Sequence, residues 1–172
     1  MEVLNRFRGS EKLFYVNEKI INWNLEKRHG LAHSRIWEDY GFIELNLYEL
    51  EDYKKANKID DSIESCLYRN KNSNSIIDWK VDEKVFPTEL YNLHITEIHK
   101  DAEFIISYIS ALKGKELNFV FEITFAGFHP VDSWNQKKRN SYGRALILYV
   151  VSCFDEGSYN FGLKHKKDYH SL

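Results

Sequence analysis

His94-Ile95-Thr96 is the stretch whose residue types and spacing could do chemistry. In an extended strand positions 94 and 96 share a face. Two H-x-[ST] elements facing each other across a sheet make a two-histidine phosphoesterase site, with one imidazole as general base, the other as general acid, and the hydroxyls holding phosphate. The second element is missing: His29, His33, His99, His129, His165 and His170 are followed two positions later by Leu31, Arg35, Asp101, Val131, Lys167 and Leu172, none of them a hydroxyl. His94 and His99 fall on opposite faces of a strand, and five residues is a poor spacing for a shared ion on a helix. Neither a G-x-G phosphate loop nor a G-x-S-x-G elbow is present. Cys66 and Cys153 match no metal or redox spacing and read as buried free thiols. Asp60-Asp61 and Asp155-Glu156 lie beside turn signals and read as turn or cap residues. The residues thus assign no catalytic group, no metal and no cofactor.

Charge points to binding instead. Through residue 103 the chain carries 15 Lys and Arg against 20 Asp and Glu, and from 104 onward 9 against 6, within a net charge of -2. The acids concentrate between Glu38 and Glu64, a region that repels nucleic acid and attracts a basic partner. The candidate partner-binding residues are Glu38, Asp39, Glu49, Glu51, Asp52, Asp60, Asp61 and Glu64, with Trp37, Tyr40 and Tyr53 as apolar anchors. The plain alternative is a solvated face that keeps the protein soluble. A second surface could form from Lys137, Lys138, Arg139 and Arg144, with Trp134, Tyr142, Tyr159 and Phe161 interleaved, the pattern of a single-stranded nucleic-acid platform. The pI near 6.4 makes nucleic acid the weaker partner. His165 and His170, among lysines, read as a frayed, solvated tail.

The elements that must position these residues follow from periodicity. Leu117, Phe119, Phe121, Ile123 and Phe125 alternate, predicting a half-buried strand after a turn at Lys113-Gly114-Lys115. Leu93 to Ile98, Glu103 to Ile109 and Ala145 to Phe154 also read as strands, the last central because it is apolar throughout, with a turn at Ser141-Tyr142-Gly143. In the first half, Lys12 to Trp23 is ambiguous, Phe42 to Leu47 is extended, and Leu47 to Lys58 is an amphipathic helix. Asn70 to Ser75 is a polar surface loop. The predicted fold is α+β: a mainly antiparallel sheet from the C-terminal half, with helices of the N-terminal half packed on it. The core is expected where Phe121 and its neighbours face Leu146 to Val151. At 172 residues, 43% hydrophobic, the chain suits a single domain, 1–172. Met1 to Arg6 has no signal-like apolar run, and no segment approaches the roughly 20 apolar residues of a membrane span. A cytoplasmic protein that does not enter a membrane is expected.

Leu93-His94-Ile95-Thr96-Glu97-Ile98, Phe104 to Ile109 and Lys115 to Gly127-Phe128 resemble a set of bacterial immunity proteins encoded beside polymorphic toxins, in which an L-H-[DS] element is followed by strands and an F-x-G-[VF] ending. Position 95 is Ile where that pattern has Asp or Ser, so no role is carried onto His94. The resemblance implies a non-enzymatic protein that binds and neutralises a cognate toxin, and the acidic face suits a basic one such as a nuclease.

Overall fold

A computed structural model describes residues 10–36, 39–57, 68–69, 76–129 and 141–170. The described residues open with a 3-10 helix, Ser10–Val16, that runs into α1, Asn17–Asn22. Side chains three apart eclipse in a 3-10 helix, so Leu13 and Val16 are buried together while Phe14 leans on Tyr108. Then come β1 (Arg28–Ile36), β2 (Asp39–Glu49), α2 (Leu50–Asn57), β3 (Tyr68–Arg69) and β4 (Ile76–Trp79). The second half supplies α3 (Thr88–Lys113), β5 (Phe119–Gly127), α4 (Ser141–Phe154) and α5 (Glu156–His170).

The architecture is α+β, but the sheet is mixed and its source differs from expectation. Strand order is β1-β2-β5-β4-β3; β4 and β5 run parallel, joined by α3 as a crossover, and the other pairings are antiparallel. Among the described residues only β5 comes from the second half. Leu93 to Ile98 and Glu103 to Ile109 lie in α3, and Ala145 to Phe154 in α4. In α3 the buried positions Leu90, His94, Ile98, Ala102, Ile105 and Ile109 recur every three to four residues, so the helical period outweighs the β-branched content that suggested strands. A continuous apolar run fits a strand covered on both faces or a helix covered all round. α4 is the second case, with Leu146, Ile147, Tyr149 and Val150 fully buried. Gly114 adopts the left-handed conformation (φ 65°) that stops α3, so the expected hairpin turn is a helix cap. Ser141-Tyr142-Gly143 begins α4 rather than forming a turn, and Ser10 to Asn22 resolves the ambiguous N-terminal stretch as helix.

The extended reading of Phe42 to Leu47 and the strand before Phe125 hold. Pleating sends Ile43, Leu45 and Leu47 of β2 to one face with Phe119, Phe121, Ile123 and Ile77, against α3, α4 and Trp23, whose indole stacks on Phe119 at 5.7 Å. β5 is not half-buried, since Val120 and Glu122 on its other side are covered too. A bulge breaks the register: Leu45 faces Ile123 but Glu44 faces Phe125, leaving Thr124 as the extra residue. Phe125 therefore leaves the main core and meets Phe42 on the second face, while Ala126 turns inward opposite Ile43. Among the described residues no helix is long and apolar enough to cross a membrane. Cys153 is a buried free thiol whose pKa burial pushes up to about 12; Cys66 and the loop 70–75 lie outside the described residues.

Candidate functional site

The second face of the sheet holds the most buried carboxylates among the described ion pairs, because the pleat that sends apolar residues of β2 and β5 into the main core sends Glu44, Asn46 and Glu122 the other way. Register sets Glu122 beside Asn46 on one side and Asp78 of β4 on the other. Two helices cover the flanks of this face. α2 lays Tyr53 against Tyr48 and Val120, and α5 lays Tyr159 on His29 and Tyr169 on His33 and Phe42.

Between the helices lies a row of paired charges. Lys80 Nζ donates to Glu122 Oε2 at 2.8 Å and stands 3.4 Å from Asp78 Oδ2. Asn46 Nδ2 donates to Glu122 Oε1 at 2.8 Å, and the Tyr53 hydroxyl donates to Asp78 Oδ2. Farther along β2, His29 Nε2 lies 2.8 Å from Glu44 Oε1, Lys166 Nζ donates to Glu44 Oε2, and the Tyr159 hydroxyl is 3.0 Å from His29 Nδ1. The His29 hydrogen bond, helped by Lys166 and working against burial, holds the Glu44 carboxyl below its ordinary value. At Glu122 burial raises the pKa, but hydrogen bonds from Lys80 and Asn46 outweigh it and the net shift is downward. The Lys80 ammonium is raised, chiefly by the Glu122 hydrogen bond. Burial and then Asp78 push the Tyr53 phenol well upward, keeping it a donor.

Both oxygens of Glu44 and of Glu122 and both nitrogens of His29 have protein partners. The row consequently fastens α2 and α5 to the sheet through charge-assisted hydrogen bonds. Among the described residues no group of three or more His, Cys, Asp or Glu side chains could hold a metal ion.

A pocket of about 370 Å³ opens at the outer edge of β1, where α4 and α5 converge. Close approach is made possible by glycine: a Cβ on Gly30 would stand 2.6 Å from Tyr149 O in α4, and one on Gly162 2.6 Å from Leu31 O. The pocket has an aliphatic floor of Ala32, Leu148 and Val151, with Phe161 on one side and Lys12, Asp155 and Ser158 among the polar lining. Asp155 Oδ2 accepts from Ser158 N (2.8 Å) and Oγ (2.7 Å), the cap role expected of it, and those bonds lower its pKa.

The residues expected from sequence are distributed unevenly. Glu51 and Asp52 are exposed on α2, in i,i+3 pairs with Lys54 (3.4 Å) and Lys55 (3.9 Å), and Glu49 is half-buried at the end of β2. Tyr53 is 2% exposed, so this expected anchor for a partner instead anchors α2. Asp39 and Tyr40 open β2, while Trp37, Glu38, Asp60, Asp61 and Glu64 lie outside the described residues. His94 and Thr96 sit in a helix, His94 buried with its ring 4.4 Å from that of Tyr142 and Thr96 exposed, so the shared face of the H-x-T reading is absent. Of the basic and aromatic set, Arg144 and Tyr142 are buried, and Trp134 and Lys137 to Arg139 lie outside the described residues. His165 is no frayed end: α5 runs to His170, and the His165 ring stacks on His33 at 4.6 Å. Sequence reasoning missed His29, Glu44, Asn46, Asp78, Lys80 and Glu122, although the alternation of Glu44 and Asn46 with Ile43, Leu45 and Leu47 was its visible sign. No family model, curated protein or solved structure matches the chain.

Proposed function

We propose that this chain is a binding protein that neutralises a basic protein partner, in the manner of an immunity protein blocking a cognate toxin. The observation that carries the reading is how α2 is held. Its outer side presents Glu51 and Asp52 to solvent, next to Glu49, while Tyr53 on its inner side donates to Asp78 and packs against Val120 and Tyr48. Leu50 N also donates to Asn118 O at 2.9 Å. A short helix fixed in this way offers its acids in one arrangement, which lowers the ordering cost of binding. The sheet's own carboxylates are occupied by Lys80, Lys166 and His29, whereas Glu51 and Asp52 keep to the solvent side of α2, each beside a lysine of the same helix, Lys54 and Lys55.

The test is kinetic. The product of the open reading frame adjacent to this chain's own is purified and mixed with wild type and with a variant carrying Glu49→Gln, Glu51→Gln, Asp52→Asn, Asp60→Asn and Asp61→Asn. Association should slow roughly tenfold at low salt and lose most of its salt dependence in the variant. An equal association rate at every salt concentration, or the absence of any complex with that protein, would remove the reading.

A further inference from the structure

We propose that the pocket at the outer edge of β1 is a binding site for a small planar apolar carboxylate, an arene ring bearing one acid group. The site lies apart from α2 and does not depend on the partner reading above. Its volume, about 370 Å³, falls within the range of small-molecule pockets, roughly 300–1,000 Å³. Its lining is mixed, joining apolar residues to four polar ones, Lys12, His33, Asp155 and Ser158.

Each wall suits part of such a ligand. Ala32, Leu148 and Val151 form an aliphatic floor, and α5 contributes Gly157, Ser158, Phe161 and Gly162. A Cβ on Gly157 would meet only Asp155 Oδ2, at 3.5 Å. Phe161 lines the pocket yet is 58% exposed, and its position is steadied by the His165 ring, 4.6 Å away and itself stacked on His33. A large aromatic side chain held at a pocket wall with its surface in water is a face on which another ring can lie.

Charge selects the other end of the ligand. Asp155 lines the pocket too, but its Oδ2 caps α5 by accepting from Ser158 N and Oγ, and the helix N-terminus offsets part of its charge. Lys12 is exposed, lines the same pocket, and makes no ion pair among the described residues. Tyr15, one 3-10 turn beyond Lys12 and therefore on its side of the helix, is 85% exposed. An exposed ammonium in the lining of a pocket that also holds an aliphatic floor and an aromatic wall matches an acid group outward and a ring inward.

The probe is indole-3-acetate, compared with indole-3-acetamide, which keeps the ring and loses the charge. Titration calorimetry of the full chain gives affinities, and ¹⁵N amide shifts at Leu31, Gly157 and Gly162 give the location. The acid should saturate the protein at submillimolar concentration, move those amides, and bind about tenfold more tightly than the amide. Lys12→Gln should abolish that preference while leaving the amide's affinity unchanged, and Phe161→Ala should weaken both probes. Both positions are exposed, and an unchanged melting temperature checks that the variants fold. Three results would each overturn the proposal: no saturable binding of the acid to wild type, shifts confined to other parts of the chain, or a preference for the acid that survives Lys12→Gln.

Discussion

Lys80 stands between two carboxylates that the sheet and α2 have largely taken out of water. Glu122 is held below its ordinary pKa, so its contribution to stability is complete above the usual carboxylate range and lost as pH falls through its folded value. Lys80 is raised, so its contribution is complete below the usual ammonium range and lost as pH rises through its folded value. The neutral range therefore has both. Lys80→Met would leave Glu122 and Asp78 without their shared counter-charge. Because Lys80 is itself 45% exposed, solvent screening reduces the loss to about 1–3 kcal/mol. Urea unfolding across about pH 3–8 should also show a smaller acid loss of stability in the variant than in wild type, because without Lys80 burial lifts the folded pKa of Glu122 back toward its unfolded value. An acid loss of unchanged size would mean that Lys80 does not control Glu122. At this scale the sequence shows half of each pair. Glu44, Asn46 and Glu122 stand out against their apolar strands, but Lys80 lies 42 residues from Glu122 and Lys166 lies 122 from Glu44, separations across which local pattern carries no information.

Among the elements, β2 and β5 were legible because strict alternation with a period of two fits a strand with one apolar face and little else. α3 and α4 were not, for different reasons. β-branched and aromatic residues in α3 mimic strand composition, whereas α4 is so apolar that its helical period is hidden. The cue for α4 is Gly30 in β1, which lets it come within backbone contact of the sheet. Gly30→Ala should destabilise the protein by about 1–3 kcal/mol, since the new Cβ meets Tyr149 O and Cys153 Sγ at 2.6 Å and backbone cannot swing aside. A chemical-denaturation midpoint equal to wild type would show that α4 can shift outward without cost. The candidate site follows the same division. The exposed acids of α2 were readable from charge alone, but the inward direction of Tyr53 depended on a contact with Asp78, 25 residues away.

Across the whole molecule the two helical layers are unequal. α4 is buried nearly all round and packs on β1, β2 and α3 through aliphatic side chains. α5 is held over β1 and β2 largely by polar ties, from Tyr159 to His29, Lys166 to Glu44 and Tyr169 to His33. Native-state hydrogen exchange should therefore find α5 opening in a sub-global step, with α4 and β5 exchanging only on global unfolding. Equal protection of α4 and α5 would refute that order. The way these layers meet at β1 has an effect on solubility. Leu31 N donates to Ser152 Oγ, Leu31 O lies against Gly162, and so the nine-residue outer strand is gripped from both sides. Fibrils assembled edge to edge need two free rims on every unit, one to accept the previous copy and one to template the next. While α4 and α5 stay closed over β1 at Leu31, that rim is withheld, and among the described strands only β3 offers another, so strand-to-strand association of intact molecules ends at a pair.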